Sequence, residues 1–136
     1  MWRRYRRLWP LGLLAGLVIL AALLPPDRAV EPCGLPGQPS ASGNGMLWVR
    51  VMAMNGPFKV ATDAGTVSLR LMLIPQVGMM RWSVHDPRGE LRWEGTVQEG
   101  QEFEETRQFE AIAGRWLLRM SLLGGGGLYS YCWTGW

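Results

Sequence analysis

Residues 79–94 read MMRWSVHDPRGELRWE, and this stretch decides the fold. Met80, Trp82 and Val84 alternate with Arg81 and Ser83, apolar against polar. Successive side chains of a strand point to opposite faces, so this period of two places the three apolar residues on the buried face of one strand. Asp86-Pro87-Arg88-Gly89 follows, with Asp first, Pro second and Gly fourth, the pattern of a type I turn. Leu91 and Trp93 then share one face of a returning strand, with Arg92 and Glu94 opposite. The unit is an antiparallel hairpin with an apolar and a charged face.

The same period runs outward in both directions. Upstream, Val67, Leu69, Leu71 and Leu73 alternate with Ser68 and Arg70. Leu47, Val49, Val51 and Ala53 read as a first strand, Asn55-Gly56 as a turn, and residues 58–61 as a short second strand. Downstream, a strand around residues 101–109 carries Phe103 and Phe109 on the same parity as Glu105 and Arg107. Trp116, Leu118 and Met120 alternate with Arg115 and Arg119 after Gly114. Residues 124–127 are four glycines, a turn, and the last strand puts Tyr129, Tyr131 and Trp133 on one face. Seven or eight short strands with regular turns and no soluble helix predict an all-β fold, an antiparallel β-sandwich, over residues 46–136.

The N-terminus has a different character. Arg3, Arg4, Arg6 and Arg7 precede an apolar run over residues 8–24, interrupted only by Pro10, Gly12 and Gly16. Positive charge followed by an apolar run is the pattern of an export signal or a membrane anchor. The run is 17 residues long, and a spanning helix needs about 17–25. Asp27-Arg28-Ala29 would put a charge at the outer position of a signal-peptidase site, and Ser40-Ala41-Ser42 has the right sizes but lies too far downstream. Residues 1–24 are therefore read as an uncleaved signal anchor in preference to a removed signal peptide, which would leave the protein secreted or periplasmic. The cationic end stays in the cytoplasm and the remainder lies outside it. Residues 25–45, rich in Pro, Gly and Ser, read as a linker.

The whole chain carries a net charge of +3, but from Gly34 onward eight Arg and one Lys balance nine Asp and Glu. A neutral external domain lacks the clustered cations with which proteins displace the counterions of nucleic acid. The chain has two cysteines, Cys33 and Cys132, near the two ends of the external region. An even count in an oxidising compartment favours a bridge over two separate thiols.

Residues 82–133 resemble the GOLD domain, the luminal β-sandwich of vesicular cargo receptors. The resemblance rests on the turn of Asp86, Pro87 and Gly89, on Phe103 and Phe109, and on Gly114 with Trp116. A final strand with Gly127, Tyr129, Tyr131, Cys132 and Trp133 completes it. The pre-peptidase C-terminal domains of extracellular enzymes share the turn and the late strand. The GOLD resemblance implies that Cys33 pairs with Cys132, and that the domain binds other proteins. The chain departs from that family in carrying its apolar segment before the domain, so vesicle transport is not implied.

Candidate sites are few. His85-Asp86 stands beside the turn that already accounts for Asp86. Glu99, Glu102, Glu104, Glu105 and Glu110 form an acidic stretch without the loop pattern of a calcium site, and the single histidine offers no zinc set. The glycines at 124–127 lack the Lys-Ser/Thr of a phosphate loop. Tyr129, Tyr131 and Trp133 are the candidate ligand-binding row, able to stack sugars or peptides, although such a row also suits a core. The reading is a non-catalytic, membrane-tethered extracytoplasmic interaction module, with no cofactor or metal, that binds a protein or an envelope polymer. The alternatives are a structural subunit of a cell-envelope complex and a secreted carbohydrate-binding module.

Overall fold

A computed structural model describes residues 33–47 and 53–136. The expected anchor over residues 1–24, the first part of the linker, and the strand positions Val49 and Val51 lie outside the described residues. Among the described residues the chain forms β1 (Ser40–Leu47), β2 (Met54–Val60), β3 (Thr66–Pro75), β4 (Met79–His85), β5 (Leu91–Gln98), β6 (Phe103–Glu110), β7 (Gly114–Leu123) and β8 (Gly127–Gly135). They make two antiparallel four-stranded sheets, ordered β1-β8-β3-β6 and β2-β7-β4-β5. The fold is the expected two-sheet sandwich.

The apolar side chains of both sheets meet between them. Val67, Leu69, Leu71 and Leu73 of β3 face Met80, Trp82 and Val84 of β4 and Trp116, Leu118 and Met120 of β7 across one core. An aromatic spine runs the width of this core. Phe58 stacks on Trp133 at 5.8 Å, Trp133 meets Trp116 at 6.2 Å, and Trp116 meets Phe109 at 5.4 Å. Phe109 then meets Trp93 at 6.5 Å, and Trp93 meets Trp82 edge-on at 5.7 Å. Such pairs add to the area they bury. Trp82, Trp93 and Trp116 are all buried, as the alternation predicts.

The 86–89 turn closes as expected. Gly89 N–H donates to the Asp86 carbonyl at 2.9 Å, and Asp86 Oδ1 accepts from Arg88 and Glu90 N–H at 2.9 and 3.0 Å. Gly89 takes φ +83°, the left-handed region that glycine enters without steric cost.

Three expectations are corrected. First, strand β1 begins at Ser40, so the chain is already in a sheet over residues expected as linker. Its core-side positions are Ala41, Gly43, Gly45 and Leu47, which pair with Trp133, Tyr131, Tyr129 and Gly127 of β8. Small residues conceal the alternation, because it is the neighbouring strand that supplies the bulk. Second, Asn55-Gly56 is inside β2, opposite Arg119 and Leu118, and makes no turn. A Cβ on Gly56 would lie 2.8 Å from the Tyr131 ring, so the glycine makes room for an aromatic from the opposite sheet. Third, Leu91 is half-exposed, because the register of β4 with β5 shifts between Val84 and His85. The bulge breaks the parity that Leu91 would share with Trp93.

Candidate functional site

Cys33 and Cys132 are bridged, with Cα atoms 5.5 Å apart. Trp133 faces the core, so Cys132, its neighbour on β8, faces out. The bridge therefore pins the residues before β1 to the outer face of the β1-β8-β3-β6 sheet.

The aromatic row on β8 points inward and divides. Trp133 is fully buried, stacked on Phe58, and its Nε1–H donates to the Gly56 carbonyl at 3.3 Å. It is a core residue and cannot meet an external ligand without unfolding the centre of the sandwich. Tyr129 and Tyr131 are only partly buried. Their rings cross strand β1, where Gly45 and Gly43 leave space. A Cβ on Gly43 would lie 2.6 Å from the Tyr131 ring, and one on Gly45 would lie 3.0 Å from the Tyr129 hydroxyl. Burial pushes the Tyr131 phenol above its usual range, and the neighbouring Tyr129 adds to the effect.

A different site lies at the end of the sandwich where Pro39, just before β1, the end of β2 with the turn after it, and the end of β8 come together. Phe58, Val60 and Ala64 floor an open cleft of about 160 Å³, flanked by Lys59, Asp63 and Trp136. The backbone holds Trp136 in place. Its carbonyl accepts from Gly65 and Thr66 N–H at 2.7 and 2.8 Å, and its N–H donates to the Thr66 carbonyl at 3.1 Å. The Trp136 side chain is nonetheless half-exposed, at 50%. Lys59 and Asp63 are exposed and have no ion-pair partner among the described residues. A half-exposed indole on an anchored backbone thus lines an apolar cleft together with one cationic and one anionic side chain. Sequence reasoning missed this cleft. Trp136 follows the last alternating strand, and no period marks it.

The remaining candidates disperse. Glu104 pairs with Arg70 at 2.6 Å, Glu105 with Arg107 at 3.4 Å, and Glu99 accepts from Gly78 N–H at 3.0 Å. Their carboxylates go to separate partners, and among the described residues no three acids, histidines or thiols converge. Asp86 serves the turn and lies 3.7 Å from Arg92. His85 turns away from it. Its Nε2 sits 3.1 Å from Ser83 Oγ, with Nδ1 3.5 Å from the Gly89 carbonyl. Sequence reasoning overlooked Ser83 because the two residues are two apart on one strand. Their spacing suits a nucleophile and base, but both stand on the outer face of β4 and neither lines the cleft.

No protein-family model matches the sequence, and no curated protein matches it either. Solved structures do match in shape. A lipase from Bacillus licheniformis in its propeptide form superposes with a TM-score of 0.52 at 16% identity, covering 91% of this chain and 27% of the lipase. The chain thus spans about a quarter of that protein. The pre-peptidase C-terminal domain of collagenase from Bacillus anthracis superposes with a TM-score of 0.50 at 19% identity, covering 68% of this chain and 86% of that domain. A carbohydrate-binding module of a xylanase from a termite hindgut metagenome (Trinervitermes trinervoides) is more distant, at a TM-score of 0.43, 12% identity, and coverage of 69% of this chain and 98% of the module. The likeness is one of fold. The GOLD resemblance reduces to the β-sandwich architecture that this chain shares with the pre-peptidase domain.

Proposed function

We propose that the protein is a non-catalytic, extracytoplasmic binding module, held at a membrane by its N-terminal segment, that takes a protein or an envelope polymer at the Trp136 cleft. The observation that carries this reading is Trp136, whose backbone is held by three hydrogen bonds while the residue stays half-exposed beside Lys59 and Asp63. Tryptophan anchors binding energy well because it offers a large rigid face with little side-chain entropy to lose. One cation and one anion, in a domain whose charges cancel, suit a neutral polar chain such as a peptide or a glycan. The disulfide supports a location outside the cytoplasm, where such bridges persist. The bridge also shortens the tether. Only residues 25–32 separate the apolar run from Cys33, and eight residues reach roughly 26–29 Å.

The test is retention of the purified protein on isolated envelope polymer and on immobilised peptides, compared with Trp136→Ala. Loss of a tryptophan anchor costs at least about 2 kcal/mol, so retention should fall by roughly thirtyfold. Equal retention of both proteins would remove the cleft from the account. The alternative reading as a structural subunit gains support from one unguarded sheet edge.

A further inference from the structure

Among the described residues strand β1 is an edge strand, and edges are a hazard because their unpaired N–H and C=O groups recruit other strands. The other three edges of this sandwich carry protection. Strand β2 has Pro57 in its middle and Lys59 after it. Strand β5 has a bulged register and carries Arg92 and Glu94. Strand β6 carries Glu104, Glu105, Arg107 and Glu110. Strand β1 reads SASGNGML, without charge, proline or bulge through eight residue pairs with β8.

We propose that β1 is a docking edge for a second copy of this chain, pairing antiparallel with its own counterpart about a twofold axis at Gly43. Backbone geometry selects this register. Gly135 N–H donates to the Pro39 carbonyl at 3.1 Å, so odd-numbered residues of β1 point their polar groups at β8. The groups of Ser40, Ser42, Asn44 and Met46 therefore point outward. In a twofold antiparallel pair these residues must face one another. The register that puts Ser40 opposite the second copy's Met46, and Ser42 opposite its Asn44, uses all four. With two bonds per pair it makes roughly eight inter-chain hydrogen bonds, whereas the register centred on Asn44 gives Ser40 no counterpart among the described residues of β1.

The side chains fit the same axis. An antiparallel ladder comes closest at its non-hydrogen-bonded pairs, and here that place is Gly43 against Gly43, with no side chains to collide. On the outer face Ser42 meets Asn44, two small groups that can hydrogen-bond. On the inner face the Tyr131 rings, which cross β1 over Gly43 and remain partly exposed, would be covered by the added strand. The absence of charge on β1 makes the strand compatible with itself.

The test uses the full chain in its native membranes. Cys33 and Cys132 are both in the bridge, so the wild type offers an introduced thiol no free cysteine; Ser42 faces Cys132 across the β1–β8 ladder, so peptide mapping of the Ser42→Cys chain verifies that its Cys33–Cys132 bridge is intact before the cross-link is scored. Ser42→Cys and Asn44→Cys chains with different tags are co-expressed and oxidised. Opposed residues in a hydrogen-bonded pair have Cα atoms about 5.5 Å apart, which a disulfide spans. The mixture should cross-link, while either variant alone should not. A Ser40→Cys and Met46→Cys mixture should cross-link too, and should lose the cross-link when both chains carry Asn44→Pro. That proline removes an outward N–H and leaves the β8 ladder intact, which an unchanged melting temperature verifies. The proposal is overturned if the Ser42→Cys and Asn44→Cys mixture gives no more covalent dimer than the single variants. It is equally overturned if Thr106→Cys chains, modified at the opposite edge, cross-link as well, or if Asn44→Pro leaves the cross-link in place.

Discussion

Replacing Trp116 by alanine should remove most of the domain's stability. Trp116 is fully buried at the centre of the aromatic spine, between Phe109 and Trp133. A buried tryptophan withdraws roughly 150–250 Å² from water, worth about 4–6 kcal/mol at ~25 cal/mol per Å². Alanine keeps a small part of that burial, and partial collapse of the site recovers more, so large aromatic truncations cost about 3–5 kcal/mol. The Nε1–H donates to the Ile112 carbonyl at 2.9 Å. Ile112 is only partly buried, so water can replace the lost donor and the added cost is small. A domain of this size has about 5–15 kcal/mol in total. A loss near 4 kcal/mol lowers the melting temperature by about 15–30 °C. Urea unfolding followed by tryptophan fluorescence would measure it, with Trp136→Ala as the internal comparison. Trp136 is half-exposed and makes no ring contact in the core, so its loss should cost under about 1 kcal/mol. A Trp116→Ala midpoint within about 1 kcal/mol of wild type would refute the packing argument.

Three further outcomes follow from particular residues. Replacing Cys33 and Cys132 by serine should cost up to about 4–5 kcal/mol in the chain-entropy model, since the bridge spans 99 residues; equal urea midpoints for oxidised and reduced protein would argue against it. Gly78→Ala should destabilise by about 2 kcal/mol or more, because its φ is +81° and a Cβ would fall 2.2 Å from the Leu123 carbonyl oxygen; circular dichroism melts that superpose on wild type would contradict this. The Tyr131 phenol is held above its ordinary value, chiefly by burial and then by Tyr129. The folded state therefore keeps its proton longer than the unfolded chain, so this contribution is intact below about pH 10, the unfolded value, and fades as pH rises through the folded value. Urea midpoints across the alkaline range should fall less for Tyr131→Phe than for wild type, and parallel curves would show that burial of this hydroxyl has no energetic weight.

The sandwich was legible wherever one strand carried its own bulk. Met80, Trp82 and Val84 announce a core face because the apolar residues of the alternation are bulky and the residues between them, Arg81 and Ser83, are polar. The same rule fails at β1, where Ala41, Gly43 and Gly45 face the core and the volume comes from Tyr129 and Tyr131 next door. Gly56 misleads for the same reason, since a glycine beside asparagine reads as a turn although a ring from the opposite sheet requires it. Glycines at spacing two, facing a strand with aromatics at spacing two, were the available signal. Leu91 could not be placed because a bulge is a property of two strands together. The cleft was invisible because Phe58, Val60 and Ala64 come from one side of the sandwich end and Trp136 from another, and only folding brings them together.

The most direct test of the account is hydrogen exchange, read by mass spectrometry, on the protein in intact envelope membranes and on the same protein after solubilisation and purification. Occupation of the cleft by an envelope ligand predicts slower exchange in the membranes at residues 59–66 and 135–136, with the β4–β5 turn unchanged as reference. Identical exchange in those segments under both conditions, with cleft amides as open in the envelope as in solution, would contradict the claim that this domain binds its partner at Trp136.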